Sequence, residues 1–146
     1  KMNRAQFVTV LYRMEGEPAV TNTGVFTDVP DNVYCTEACY WALETGITTG
    51  TSATTFEPTR DLTRTEIVAF MYRYAKYKGY DTSAAADLSV YRDASQIPDF
   101  AVDAWSWSVT HGIVNGVSAD TLAPRSLTIR AQAAAIFQRF DSKLAN

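Results

Sequence analysis

The chain has 146 residues, 47% hydrophobic and 20% charged, which suits one packed domain or a short array of repeats and excludes global disorder. Thirteen basic residues against 16 acidic ones leave a net charge of −3, without the basic excess that non-specific nucleic-acid binding needs. No apolar run approaches the roughly 20 residues that span a bilayer, and the opening Lys1-Met2-Asn3-Arg4 lacks the apolar stretch of an export signal, so any such signal is expected outside this sequence.

In chain order, a first helix is predicted over 3–15, on a stripe of Phe7, Val8 and Leu11. A Gly/Pro/Thr-rich linker at 16–24 follows. A second helix is predicted over 34–45, with Ala38, Trp41, Ala42 and Thr45 on one face, and it stops at Gly46-Ile47. Asp28, Pro30 and Asp31 just ahead of it suit a helix start. A loop then carries Gly50 and Phe56-Glu57-Pro58, and a third helix is predicted over 63–78 around Ile67, Val68 and Met71. After a linker at 79–88 the order recurs. A helix over 100–111 stops at Gly112-Ile113, Gly116 and Leu122-Ala123-Pro124 make the loop, and a last helix covers 128–143.

This recurrence is a repeat. Trp41 and Trp107 lie 66 residues apart, as do Gly46 and Gly112, Gly50 and Gly116, Pro58 and Pro124, and Arg64 and Arg130. Phe26-Thr27-Asp28-Val29 pairs with Tyr91-Arg92-Asp93-Ala94, and Asn3-Arg4-Ala5-Gln6 is a third copy of the segment at Thr63 and Ile129. The sequence therefore holds the back half of one repeat (1–16) and two complete repeats (24–79 and 88–144), expected to form one all-α domain.

Thr63 and Glu66, like Asn3 and Gln6, have the spacing of a reciprocal capping box. Ile129 cannot cap, so Thr128 is expected to do so one residue early. Arg4, Arg64 and Arg130 are less easily explained, because the first helical position is where the macrodipole disfavours a cation by about 0.3–1 kcal/mol. Two readings stay open: an anion site built from guanidinium and free N–H groups, or an internal pairing with an acid such as Asp28 or Asp93. Arg13, Arg73 and Arg139 fall near helix ends that welcome positive charge, and a structural role is expected.

The set Phe26-Thr27-Asp28-Val29, Trp41-Ala42, Gly46-Ile47-Thr48-Thr49-Gly50, Phe56-Glu57-Pro58 and Thr63-Arg64-Thr65-Glu66 resembles the S-layer homology (SLH) motif, over nearly the whole chain. The resemblance implies tandem helix–loop–helix motifs in a pseudo-threefold helical assembly. It also implies a non-catalytic, extracellular role, anchoring a surface protein to the bacterial cell wall by binding a secondary cell-wall polysaccharide, often pyruvylated, in grooves between motifs. In that scheme Arg4, Arg64 and Arg130 meet the ketal carboxylate, and the Gly50-Thr51 and Gly116-Val117 loops supply backbone contacts. Trp41 and Trp107 are sugar platforms or core residues. A non-binding spacer with the same fold is the alternative. Gln6 and Gln132 stand where the family has Glu, and Ile129 where it has Thr, which points to a weakened third site, while the half motif at the start leaves a groove short of one wall unless upstream residues or a neighbouring chain supply it.

Other residues carry less. Cys35 and Cys39 are expected as buried thiols, with a helix spacing poorly suited to a disulfide and no further ligands for a metal. His111 aligns with Thr45, so the repeat does not need it. Asp28, Asp31 and Asn32 lack the spacing of a calcium loop. Tyr72, Tyr74, Tyr77 and Tyr80 are expected to pack between repeats. No paired carboxylates or triad accompany the repeat, so neither catalysis nor a cofactor is expected.

Overall fold

The computed structural model describes residues 1–145. Five α-helices carry the fold: α1 Arg4–Met14, α2 Thr36–Glu44, α3 Arg64–Lys78, α4 Val102–His111 and α5 Arg130–Phe140. Among the described residues there is no strand, only isolated backbone bridges joining Asn3 to Asp61 and Thr63 to Leu127. The all-α expectation holds.

The helix starts follow their local chemistry. Asn3 and Thr63 accept the N–H groups of Gln6 and Glu66 at 2.8 and 3.1 Å, and those two side chains accept the N–H of the capping residue in return. At α5 only the returning half survives, Ile129 N–H to Gln132 Oε1 at 3.0 Å. Thr128 does not cap. Its N–H donates to the Leu62 carbonyl at 2.9 Å, which holds the residue against the preceding repeat, and its buried hydroxyl has no hydrogen-bond partner among the described residues. The first helix of each full repeat also starts later than predicted. No side chain caps α2, and the Thr36 hydroxyl instead bonds the Pro30 carbonyl at 2.6 Å, while a 3-10 turn at Asp99–Ala101 leads into α4.

Both of these helices end as the Gly-Ile signal requires. Gly46 and Gly112 take φ of 80° and 68°, and Ile47 and Ile113 fold back fully buried.

The chain divides into two compact units, Met2–Asp61 and the stretch from Leu62 onward. Each opens with the second helix of one repeat and packs it on the first helix of the next, α1 on α2 and α3 on α4. The folded unit is thus half a step out of phase with the sequence repeat. Phe7, Leu11, Trp41, Ile47 and Phe56 are buried in the first unit, and Ile67, Met71, Trp105, Trp107 and Leu122 in the second. Each such side chain stabilises by about 1.5–3 kcal/mol. The second unit also holds α5, whose Phe140 ring meets Tyr74, Tyr80 and Trp107. Tyr72 lies on Trp107, and Tyr77 stays partly exposed.

Candidate anion-binding crevice

The loops after α2 and α4 are held by the aspartates of the Phe-x-Asp segment. Asp28 accepts the N–H groups of Phe56 and Glu57 at 2.9 and 2.8 Å, and Asp93 those of Leu122 and Ala123 at 3.0 and 2.9 Å. Glu57 and Ala123 both have positive φ, 54° and 52°, which costs a side-chain-bearing residue about 1–2 kcal/mol. The charge-assisted bonds on either side offset that cost. Burial alone would raise the Asp93 carboxyl, but the N–H groups of Leu122 and Ala123 outweigh it and leave the group below its ordinary value. The Asp28 side chain therefore caps no helix; like that of Asp93, it clamps a turn.

Gly50 and Gly116 serve close approach. A Cβ on Gly50 would lie 2.6 and 2.7 Å from the carbonyl oxygens of Thr55 and Ser52, and one on Gly116 2.5 and 2.7 Å from those of Ser118 and Thr121. Thr51 is engaged inside its loop, with its N–H on the Thr55 carbonyl at 2.8 Å.

The repeated arginine enters this loop. Arg4 Nε donates to the Phe56 carbonyl at 2.8 Å with its guanidinium 4.9 Å from the Phe56 ring. Arg64 Nε donates to the Leu122 carbonyl at 2.9 Å and Nη2 to the Asn115 carbonyl, with the guanidinium 5.9 Å from the Trp105 ring. The backbone N–H groups of Arg4 and Ala5 bond the carbonyls of Arg60 and Pro58 at 3.0 Å each, and those of Arg64 and Thr65 bond Ser126 and Pro124 at 2.8 and 3.1 Å. The first-turn N–H groups expected to receive an anion are thus taken by the loop of the following repeat. Arg4 and Arg64 both donate to backbone carbonyls of the loop, and they are only 5% and 9% exposed. Arg130, in contrast, is exposed.

Beside Arg64 lies a crevice of about 340 Å³, bounded by the Asn115-Gly116 backbone and by Ala131, Gln132 and Arg139 of α5. Its lining holds two guanidinium groups and no carboxylate. Arg139 Nη1 reaches the Ile113 carbonyl at 3.3 Å. Burial first, and then the like charge of Arg139, weaken the hold of Arg64 on its proton, with Asp93 acting in the opposite sense. Arginine stays charged under such shifts, so the crevice is positive. A second hollow, of about 600 Å³ in the first unit, has the opposite character. Glu17, Asp31 and Glu37 line it, and burial, then the bond with Glu37, push the Tyr12 phenol up to about 12.

The remaining candidates sit in the fold's interior. Trp41 and Trp107 are 1% and 0% exposed, and Trp107 Nε1 donates to the Asp81 carbonyl at 3.0 Å, which leaves no open ring face for a sugar. Cys35 and Cys39 are buried free thiols. Their mutual hydrogen bond pulls Cys35 down and pushes Cys39 up. His111 lies 3.1 Å from the Ser83 carbonyl and packs its ring on Trp107. Among the described residues no group of three or more His, Cys, Asp or Glu is placed to hold a metal, and no helix is long and apolar enough to cross a membrane.

The family model for the S-layer homology domain matches residues 25–67 and 90–134, more than half of the chain. The chain belongs to the S-layer homology family. Members of that family are non-catalytic anchoring domains, and this one is similar to segments of much larger proteins. It is 28% identical to the surface-layer 125 kDa protein of Lysinibacillus sphaericus, over 94% of this chain and 12% of that protein. An endoglucanase of Bacillus sp. (strain KSM-635) is 28% identical over 99% of the chain and 15% of the enzyme. An amylopullulanase of Thermoanaerobacterium thermosulfurigenes is also 28% identical, over 99% of the chain and 8% of the enzyme. The SLH chain thus spans less than a sixth of each of these relatives.

Proposed function

We propose that this SLH chain anchors a larger surface protein to the bacterial cell wall, outside the cell, by holding an acidic secondary cell-wall polysaccharide. The observation that carries this reading is the positive crevice beside Arg64, lined by two guanidinium groups with no carboxylate among its walls. A sugar carboxylate, such as a pyruvate ketal, supplies the charge that the site lacks, and guanidinium groups suit it because they bind carboxylates in a two-pronged way. The company the segment keeps supports the same reading, since a surface-layer protein and glycan-acting enzymes of different names share it.

Arg4 and Arg130 belong to the proposal as family positions, in different surroundings: Arg4 is tied to Phe56, while Arg130 is open to solvent. Gly50, Thr51 and Gly116 shape the loops that border such sites. The burial of Arg4 and Arg64 favours a second reading, in which the arginines join successive repeats and the chain is a spacer without a glycan.

Sedimentation with purified wall separates the two. The chain is expected to pellet with wall that retains its polysaccharide and to stay in solution with wall stripped of it. Equal behaviour on both preparations supports the spacer.

A further inference from the structure

The two polar α5 side chains that line the crevice, Gln132 and Arg139, show in the sequence only a departure from the family pattern and a favourable helix-end charge. We propose that they are specificity determinants of the crevice, Arg139 as a second cation for the sugar carboxylate and Gln132 as the neutral residue that leaves the anion unopposed. The inference rests on the anionic-glycan reading above and deepens it.

Three observations carry it. Arg64 and Arg139 line the same space although they come from different helices, α3 and α5. Arg139 is exposed, so solvent leaves its contact with Ile113 worth little to the fold, yet its charge is felt at Arg64. Two like charges in one crevice repel, and an anion between them turns that repulsion into attraction. The third observation is Gln132. The equivalent position in the preceding repeat is Glu66, whose carboxylate accepts the Thr63 N–H at 3.1 Å; Gln132 Oε1 accepts the Ile129 N–H at 3.0 Å in the same way. The amide therefore preserves the capping contact while removing the one negative charge that the motif would place in the wall of the crevice. Ala131 and Ala135 beside it keep the space open.

The test follows from that division of labour. Gln132→Glu restores the family's acid at a position where the helix start favours a carboxylate, so thermal stability should be unchanged or slightly higher. Binding should fall, however. The probe is a hexoside carrying a 4,6-O-pyruvyl ketal, titrated calorimetrically into the full chain, with its methyl ester as the uncharged control. Wild type is expected to bind the acid and not the ester. Arg139→Gln and Gln132→Glu should each weaken binding of the acid by about tenfold, as loss of a charge-assisted contact or gain of a like charge would. Arg139→Lys should recover part of the loss, because charge returns without the two-pronged geometry. Wild-type binding that neither Gln132→Glu nor Arg139→Gln alters overturns this inference and leaves the glycan reading standing. No wild-type preference for the acid over the ester removes both.

Discussion

Arg64 and Arg130 occupy the same place in the same motif and live in different surroundings. Around Arg64 the following repeat closes in: Leu122 and Asn115 take the guanidinium, Ser126 and Pro124 take the first backbone N–H groups, and the Trp105 ring lies 5.9 Å from the guanidinium. Arg130 opens α5 in solvent, behind an Ile129 that is 47% exposed. The comparison teaches that the motif is half of a contact. An arginine at the positive end of a helix is disfavoured in either place, but at Arg64 four carbonyl groups arranged by another repeat compensate it, whereas Arg130 is exposed.

Breaking the received end should have the largest effect. Arg64→Ala is expected to destabilise the chain by about 3–5 kcal/mol, because two carbonyls lose a charged donor inside the fold. Arg130→Ala should stay within about 0.5 kcal/mol of wild type, as surface changes do. Urea unfolding of the two variants side by side checks this, and equal losses would show that the two helix starts are alike after all. Next comes the receiver. Asp93→Ala should cost about 1.5–3 kcal/mol by releasing Leu122 and Ala123. Because the Asp93 carboxyl is held below its ordinary value, its contribution is complete above the ordinary carboxylate range, near pH 4, and is lost as the pH falls through the lowered value. Acid titration of wild type against the alanine variant should therefore converge at low pH.

A smaller loss, about 1–3 kcal/mol, is expected for Gly116→Ala, whose methyl group would crowd two carbonyl oxygens. Differential scanning calorimetry suffices to see it. The smallest effect sharpens the contrast from the other side. Ile129→Thr gives α5 the capping side chain that α3 already has and should stabilise by about 0.5–1 kcal/mol, visible as a higher midpoint in thermal melts.

Features that depend on neighbours in sequence were legible from the sequence. The capping boxes at Asn3 and Thr63 and the Gly-Ile stops at Gly46 and Gly112 are set within one helical turn, so spacing alone reveals them. The receiver of Arg64 was not legible, because main-chain carbonyls 51 and 58 residues away carry no side-chain signature. Thr128 looked like a cap by residue type, but a long-range backbone bond to Leu62 claims it first. Asp28 was assigned to a helix start, and Asp93 only to a pairing with a repeated arginine. The constant distance from each aspartate to its apolar-x-Pro turn, in both repeats, was the signal that could have shown the clamp. At the crevice, Arg139 was read by its place on a helix rather than by what the next element brings beside it.

The half-step phase between repeat and folded unit makes the chain behave like duplex fragments with cohesive ends. Appending one more copy satisfies the overhang left by the last and creates a new one of the same kind, so an array can lengthen by gene duplication without redesigning any joint. The same phase predicts where such an array tolerates cutting. A cleavage placed tidily between sequence repeats strands an arginine from its socket, while one near Asp61, inside a repeat, leaves Arg4 with Phe56 and Arg64 with Leu122.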